Sequence, residues 1–325
     1  TRVLASDAKT TNNGAGLLTL SGAQSGAFES RYEGSGDITI SAAIAATASS
    51  LTKGGSGTLN LIAANGHTGL TKVNAGTIVA GVANALSSGG LTVNAGTYSM
   101  DTFSDTVGAV TLVGGSITSS TGVLTGTSYT LESGTISGIL AGAIAVTKNT
   151  NNTVTLTGVN TISSTTTINA GTLAISGSGS ATSTTVTVNL GGTLTLDNST
   201  TAVASRLGDA SVLTMNGGNF NFIGNDAGAA SETIGQLLFS SGHSTVTVTP
   251  GTGGSTTLTA ANNPGFNRSA GATVLFRGTD FGSTPGANGS TLMFTNAPTL
   301  TGAAGAANST TVSVIKSAFG DNSLT

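Results

Sequence analysis

The sequence predicts an all-β fold: a parallel β-solenoid of about 19–20 residues per coil, with little or no α-helix. Three observations predict it. Short runs alternate aliphatic and hydroxyl residues, glycines recur at a nearly constant interval between them, and the chain is apolar enough to need a core while carrying very little charge.

The alternation is plain in Thr58-Leu59-Asn60-Leu61, Thr153-Val154-Thr155-Leu156, Thr193-Leu194-Thr195-Leu196 and Thr245-Val246-Thr247-Val248. A period of two sends Leu and Val to one face of a strand and Thr to the other. Thr and Val are β-branched and suit the pleated backbone. No 3.6-residue apolar period extends over a useful window.

Turn-like glycines fall at Gly76, Gly96, Gly115 and Gly134, in similar settings such as Asn74-Ala75-Gly76-Thr77 and Asn94-Ala95-Gly96-Thr97. A longer repeat overlies this one. Shifted by 95 residues, Leu51 to Ala80 aligns without gaps on Val146 to Ile175, with 10 of 30 positions identical. These include Thr52/Thr147, Lys53/Lys148, Leu61/Leu156, Asn65/Asn160 and the whole Asn-Ala-Gly-Thr phrase. One such coil holds too few inward aliphatics to form a core alone. Stacked coils bury a continuous column and pair their backbones with the coils above and below.

Composition narrows the alternatives. Charged residues make up 7% of the 325, against roughly 25% in ordinary proteins. Disordered chains combine low hydrophobicity with high net charge, whereas here the mean hydropathy is +0.24 and the net charge −3. There is no Cys, which removes disulfides and thiolate metal sites. The 10 Lys and Arg are scattered, without the basic patch that nucleic acid requires. The most apolar stretch, Ile136 to Val146, is short and broken by Gly138 and Gly142, so no transmembrane helix is predicted.

The segment Leu51 to Thr77, beginning Leu51-Thr52-Lys53-Gly54-Gly55-Ser56-Gly57-Thr58 and closing on Val73-Asn74-Ala75-Gly76-Thr77, resembles the autotransporter-associated β-strand repeat. Residues 146–173 resemble it more distantly, with Asn149 and Asn152 where the family has glycine. From about Ala204 onward, phrases such as Arg206-Leu207-Gly208-Asp209 and Asn216-Gly217-Gly218 resemble the tails of large repeat proteins of planctomycete- and verrucomicrobia-type bacteria. The resemblance implies a right-handed parallel β-helix of the passenger type, extracellular or at the outer-membrane surface. No β-barrel translocator pattern follows, and the pattern is still running at Thr325.

Many parallel β-helices cleave polysaccharides, and glycoside hydrolysis needs two carboxylates about 5–9.5 Å apart. Asp101/Asp105 and Glu29/Glu33 are the nearest to pairs, and both are read as solvated loop charge. His67 stands where the repeat family has Tyr and the second copy has Ile162, so it is read as a packing or turn position. His243, in Ser241-Gly242-His243-Ser244, is read as a turn residue. Two distant His make no zinc signature. The calcium-binding nonapeptide is absent, and Gly54-Gly55-Ser56-Gly57 and Gly177-Ser178-Gly179 lack the helix and Lys of a phosphate cradle. The sequons at Asn151, Asn198, Asn267, Asn288 and Asn308 are expected by chance in so Asn/Thr-rich a chain. Thr ranks at 193–195, 245–249 and 257–259 are predicted on an outer face; ice-binding solenoids use such ranks, but these do not recur at one spacing.

The resulting expectation is a non-enzymatic, adhesin-like structural element without cofactor, catalytic residue or metal: a stalk, coat or fibre component. Residues 1–204 form the repeat region, and 205–325 continue it with a more irregular, Phe-richer solenoid, as part of a longer chain. Eight of the 10 Phe lie from Phe220 onward. Neither Thr1–Lys9 nor Phe319–Thr325 reads as a polar cap for an exposed strand edge. The ends are therefore expected to continue into more protein or to self-associate end to end. Cell-surface glycans are the partner of the alternative reading, a glycan-binding or carbohydrate-active β-helix, and a line of exposed Phe and Tyr would favour it.

Overall fold

The computed structural model describes residues 2–3, 6–45, 49–261, 266–281, 288–302 and 314–321. Parts of both chain ends discussed above, and the sequon at Asn308, lie outside these residues. The chain divides into two compact units, Thr1–Thr147 with Asn152–Ser163 and Lys148–Asn151 with Ser164–Thr325. Each is a parallel β-helix, and among the described residues no helix is long and apolar enough to cross a membrane.

In the first unit each coil lays one strand on each of two long sheets. One runs from Ala8–Thr11 through Ser30–Glu33, Leu51–Lys53, Thr71–Val73 and Leu91–Val93 to Ala109–Leu112 and Ser128–Leu131. The other runs from Leu18–Leu20 through Ile38–Ile40, Thr58–Leu61, Thr77–Ala80, Thr97–Ser99 and Ser116–Thr118 to Gly134–Ile136 and Thr153–Leu156. A third, shorter face enters at Asp105–Thr106 and continues through Val123–Thr125, Ile139–Gly142 and Val159–Ile162.

Register converts the predicted alternation into a core. Leu18, Ile38, Leu59, Ile78, Tyr98, Ile117, Ile136 and Leu156 pair in succession, and from Ile38 onward each is buried. Burying each such side chain contributes about 1.5–3 kcal/mol. Ordering the backbone costs about 1–2 kcal/mol per residue, so a single coil cannot stand alone and the stack must be cooperative. Glycine closes the coil where the chain turns sharply. Gly76 has φ 64°, and a Cβ there would lie 2.3 Å from the Gly57 carbonyl oxygen of the preceding coil.

The second unit begins with coils of the same size, Thr165 pairing with Thr185 and Leu173 with Leu194. The coil then lengthens: Val186 pairs with Leu213, Leu194 with Phe220, and Val246 with Phe276. The bulk predicted from the late phenylalanines fills this wider core. Phe220, Phe222, Phe239 and Phe276 are buried, and Phe239, Phe266, Phe276 and Phe294 join through ring contacts of 5.5–6.3 Å between centroids. Its third face is Ala230–Ile234, Thr256–Ala260 and Ser290–Phe294, and one antiparallel pair, Leu300–Thr301 with Val314–Ile315, stands apart from the parallel sheets.

Candidate functional site

The carboxylates of the two pairs are engaged in hydrogen bonds or ion pairs. Asp105 is not solvated loop charge: it is buried, accepts a hydrogen bond from the Tyr98 hydroxyl and another from the Leu86 amide at 3.2 Å. Burial raises its pKa, opposed by those hydrogen bonds. Asp101 is exposed in a turn at φ 50°, with its carbonyl accepting the amides of Ser120, Thr121 and Gly122. Glu29 and Glu33 flank Arg31, which lies 3.6 Å from one and 2.9 Å from the other, while Lys9 of the preceding coil sits 2.9 Å from Glu33. Hydrogen bonds from Lys9 and Arg31 hold Glu33 below the usual carboxylate range, which suits an ion pair and not a general acid. Arg31 lies between the two glutamates in the chain, whereas Lys9 arrives through rung-to-rung register, which sequence spacing does not show.

His67 is buried, with Nε2 2.9 Å from the Thr71 hydroxyl and Nδ1 without a partner, and burial pushes its pKa down to about 4. Ile162 is buried at the equivalent position of the second repeat, so the site is one of core packing. His243 does not occupy a turn. It opens the strand His243–Thr249, exposed, with Nδ1 2.8 Å from the Thr273 hydroxyl on the neighbouring strand. Among the described residues no group of three or more His, Cys, Asp or Glu gathers to hold a metal ion.

The repeated asparagines tie coil to coil, and the repeated lysines hold turn carbonyls. Asn65 accepts the Ile44 amide at 2.8 Å and donates to the Ala85 carbonyl at 2.5 Å, linking three successive coils through one buried side chain. Asn160 accepts the Leu140 amide in the same manner at 2.9 Å. The Asn of Asn-Ala-Gly-Thr builds ladders: Asn94 donates to Asn74 at 2.6 Å in the first unit, and Asn169, Asn189 and Asn216 each donate to the asparagine one coil back in the second. Lys53 lies in the inward column between Tyr32 and Val73, and its ammonium reaches the carbonyls of Gly54 and Gly55 at 2.6 and 2.8 Å. Lys148 repeats this with the carbonyls of Thr150 and, at 3.2 Å, Ala170. Burial lowers the Lys53 pKa.

A further polar node, missed from the sequence, lies where the second unit widens. Arg206 is fully buried; Nε donates to Asn198 at 2.5 Å, Nη1 to the Gly179 carbonyl at 2.8 Å, and Nη2 to the carbonyls of Gly177 and Thr201. Glu232 accepts the amides of Arg206 and Leu207 at 2.9 and 2.8 Å, and burial pushes its pKa up to about 8. The phrase Arg206-Leu207-Gly208-Asp209 is thus an internal clamp on the inserted loop. The signal available was an Arg inside a stretch otherwise poor in charge.

One outer face of the first unit carries a hydroxyl rank. Thr58, Thr77, Thr97, Ser116, Thr135 and Thr155 stand in register on the outer side of one sheet of the first unit, with the Thr97 and Ser116 hydroxyls 3.0 Å apart. Five of the six come directly after a glycine: Gly57, Gly76, Gly96, Gly115 or Gly134. In the second unit the Thr193–Thr245 rank is interrupted by Asn219 and passes to Leu275. The three Tyr are buried, and among the described residues no line of exposed aromatics forms.

This geometry agrees with the comparisons to known proteins. The family model described as passenger-associated-transport-repeat matches residues 51–80 and 146–175, the two windows of the 95-residue repeat. The chain is 32% identical over 222 residues, 67% of its length, to the protein named adhesin BmaC autotransporter from Brucella suis biovar 1 (strain 1330). It spans 6% of the length of that relative. This relative lends no support to a planctomycete or verrucomicrobia affiliation. No solved structure matches the chain. The chain therefore carries two passenger-associated-transport repeats and is similar, over two thirds of its length, to an autotransporter adhesin.

Proposed function

We propose that this chain is part of an adhesin-like surface passenger, exported and displayed outside the bacterial cell, in which the solenoid serves as stalk, coat or fibre. The observation that carries the reading is the use made of the repeated residues. Asn65 and Asn74 bond one coil to the next, Gly76 lets neighbouring coils approach closely, and Lys53 is spent on the turn carbonyls that follow it. Stacked coils that carry little charge and a hydroxyl rank on one outer face extend a surface away from the cell.

The test has two arms. Antibody labelling and protease shaving of intact source cells should reach these residues, and beads coated with the purified chain should be retained on host-cell monolayers above beads coated with an unrelated protein. Labelling only after lysis would sink the surface assignment, and retention equal to the control would sink adhesion.

A further inference from the structure

Most of the cations with a described environment are committed. Lys53, Lys148 and Arg206 are buried on backbone carbonyls, while Lys9, Arg31 and Arg277 stand in ion pairs. Arg268, bonded to backbone carbonyls through Nη1 alone, and the exposed Lys316 differ in facing an open groove. In the second unit they line one groove of about 290 Å³ together with Phe266, Asn267, Thr299 and Thr301, and among the described residues no carboxylate lines it. In a chain of net charge −3, such a pairing is not the by-product of a generally basic surface.

We infer that this groove binds an acidic sugar residue of a glycan, one carrying a carboxylate or a sulfate. Each wall supplies a matching group. Phe266 is held by ring contacts to Phe239 at 5.6 Å and Phe294 at 5.5 Å, so its ring is a fixed apolar platform for the C–H face of a pyranose. The Arg268 guanidinium is oriented by Nη1 donating to the carbonyls of Ser269 and Ala272 at 2.9 and 3.0 Å. With both Nη1 hydrogens so used, the Nε and Nη2 hydrogens remain as a fork suited to carboxylate or sulfate oxygens. Lys316, exposed, adds a second positive charge. The Asn267 amide and the Thr299 and Thr301 hydroxyls offer donors and acceptors to sugar hydroxyls. The volume sits at the small end of ligand pockets, which suits one or two sugar rings.

The inference rests on the adhesin reading only for its purpose, naming a ligand class for that surface. Binding to a free oligosaccharide is measurable without any cell. The full chain is titrated calorimetrically with a hyaluronan hexasaccharide (carboxylate only), a heparin-derived hexasaccharide (carboxylate and sulfate), a neutral chitin hexasaccharide and inorganic sulfate. At least one acidic oligosaccharide should bind, at least about tenfold more tightly than the neutral one, a gap of roughly 1.4 kcal/mol. Which acidic sugar binds separates carboxylate from sulfate recognition. Affinity should fall with added salt, and R268Q/K316Q should weaken it about tenfold or more with the circular dichroism unchanged. K316Q alone, at an exposed position, should weaken it in the same direction if R268Q disturbs the groove. No binding of either acidic sugar, equal binding of the neutral one, native affinity in both variants, or inorganic sulfate binding as tightly as the oligosaccharide would each overturn the assignment. Bead adhesion lost while oligosaccharide binding persists would count against the adhesin reading and leave the site standing.

Discussion

The first unit and the second are the same fold at two calibres. On the long faces of the first, register steps are short, as from Leu59 to Ile78 and from Ile78 to Tyr98. In the second the steps grow, as from Leu194 to Phe220 and from Val246 to Phe276. The narrow coil is filled by Leu, Ile, Val and an occasional Tyr, and tied by single asparagines such as Asn65. The wide coil needs phenylalanine to avoid voids, and a buried Arg–Glu clamp to hold the loop that the extra residues create. Calibre is therefore set by how much a coil must enclose, and each widening demands both bulk and polar satisfaction of the added backbone.

The sharpest way to break the second unit is at its clamp. Arg206→Met should cost about 3–5 kcal/mol, because Asn198 and three carbonyls lose their buried donor, while Glu232 keeps the backbone amides it accepts. Chemical denaturation followed by Phe-rich-core fluorescence or exchange within 185–260 would show it. An effect under about 1 kcal/mol would mean that the wide coil is held by packing alone.

The two units should also respond oppositely to pH, each by an amount on the order of a few kcal/mol. The Glu232 pKa is raised to about 8 from an ordinary value near 4.5, so its contribution is fully present below about 4.5 and is lost as pH rises through 8. The His67 pKa is depressed to about 4 from 6.5, so its contribution is present above 6.5 and is lost as pH falls through 4. Segment-resolved hydrogen exchange should find that Glu232→Gln flattens the alkaline loss in the second unit. His67→Ile, which copies the second repeat, should flatten the acid loss in the first. Identical pH slopes in native and variant proteins would refute both.

Smaller effects sharpen the comparison. Asn65→Ala leaves the Ile44 amide and the Ala85 carbonyl unpaired and should cost about 1–3 kcal/mol, confined to the first unit. Thr97→Val on the outer rank removes one hydroxyl contact at the surface and should change stability by no more than about 0.5 kcal/mol. A larger loss at Thr97 would show that the hydroxyl rank is structural.

Much of the fold was legible because strand alternation and coil spacing are local. Leu59 and Leu61 declare an inward face by their own neighbours, and Gly76 and Gly96 declare the turn that returns the chain one rung later. The candidate sites were less legible. Asp105 reads as solvated beside Asp101, yet Tyr98 and Leu86 draw it inside. Lys53 stands out in the sequence only as a repeated position, and the structure places its stem in the core column while its ammonium reaches the turn carbonyls.

The sequence by itself determined the strand period, the all-β class, the coil interval of the repeats and the scarcity of charge, since each follows from residues close together in the chain. Only the tertiary structure decided which polar residues face inward, that Arg206 meets Glu232, and that Phe266, Arg268 and Lys316 share one groove. The physical reason is that a solenoid brings together residues one or more coils apart, and the coil length that fixes those partners varies once the core widens.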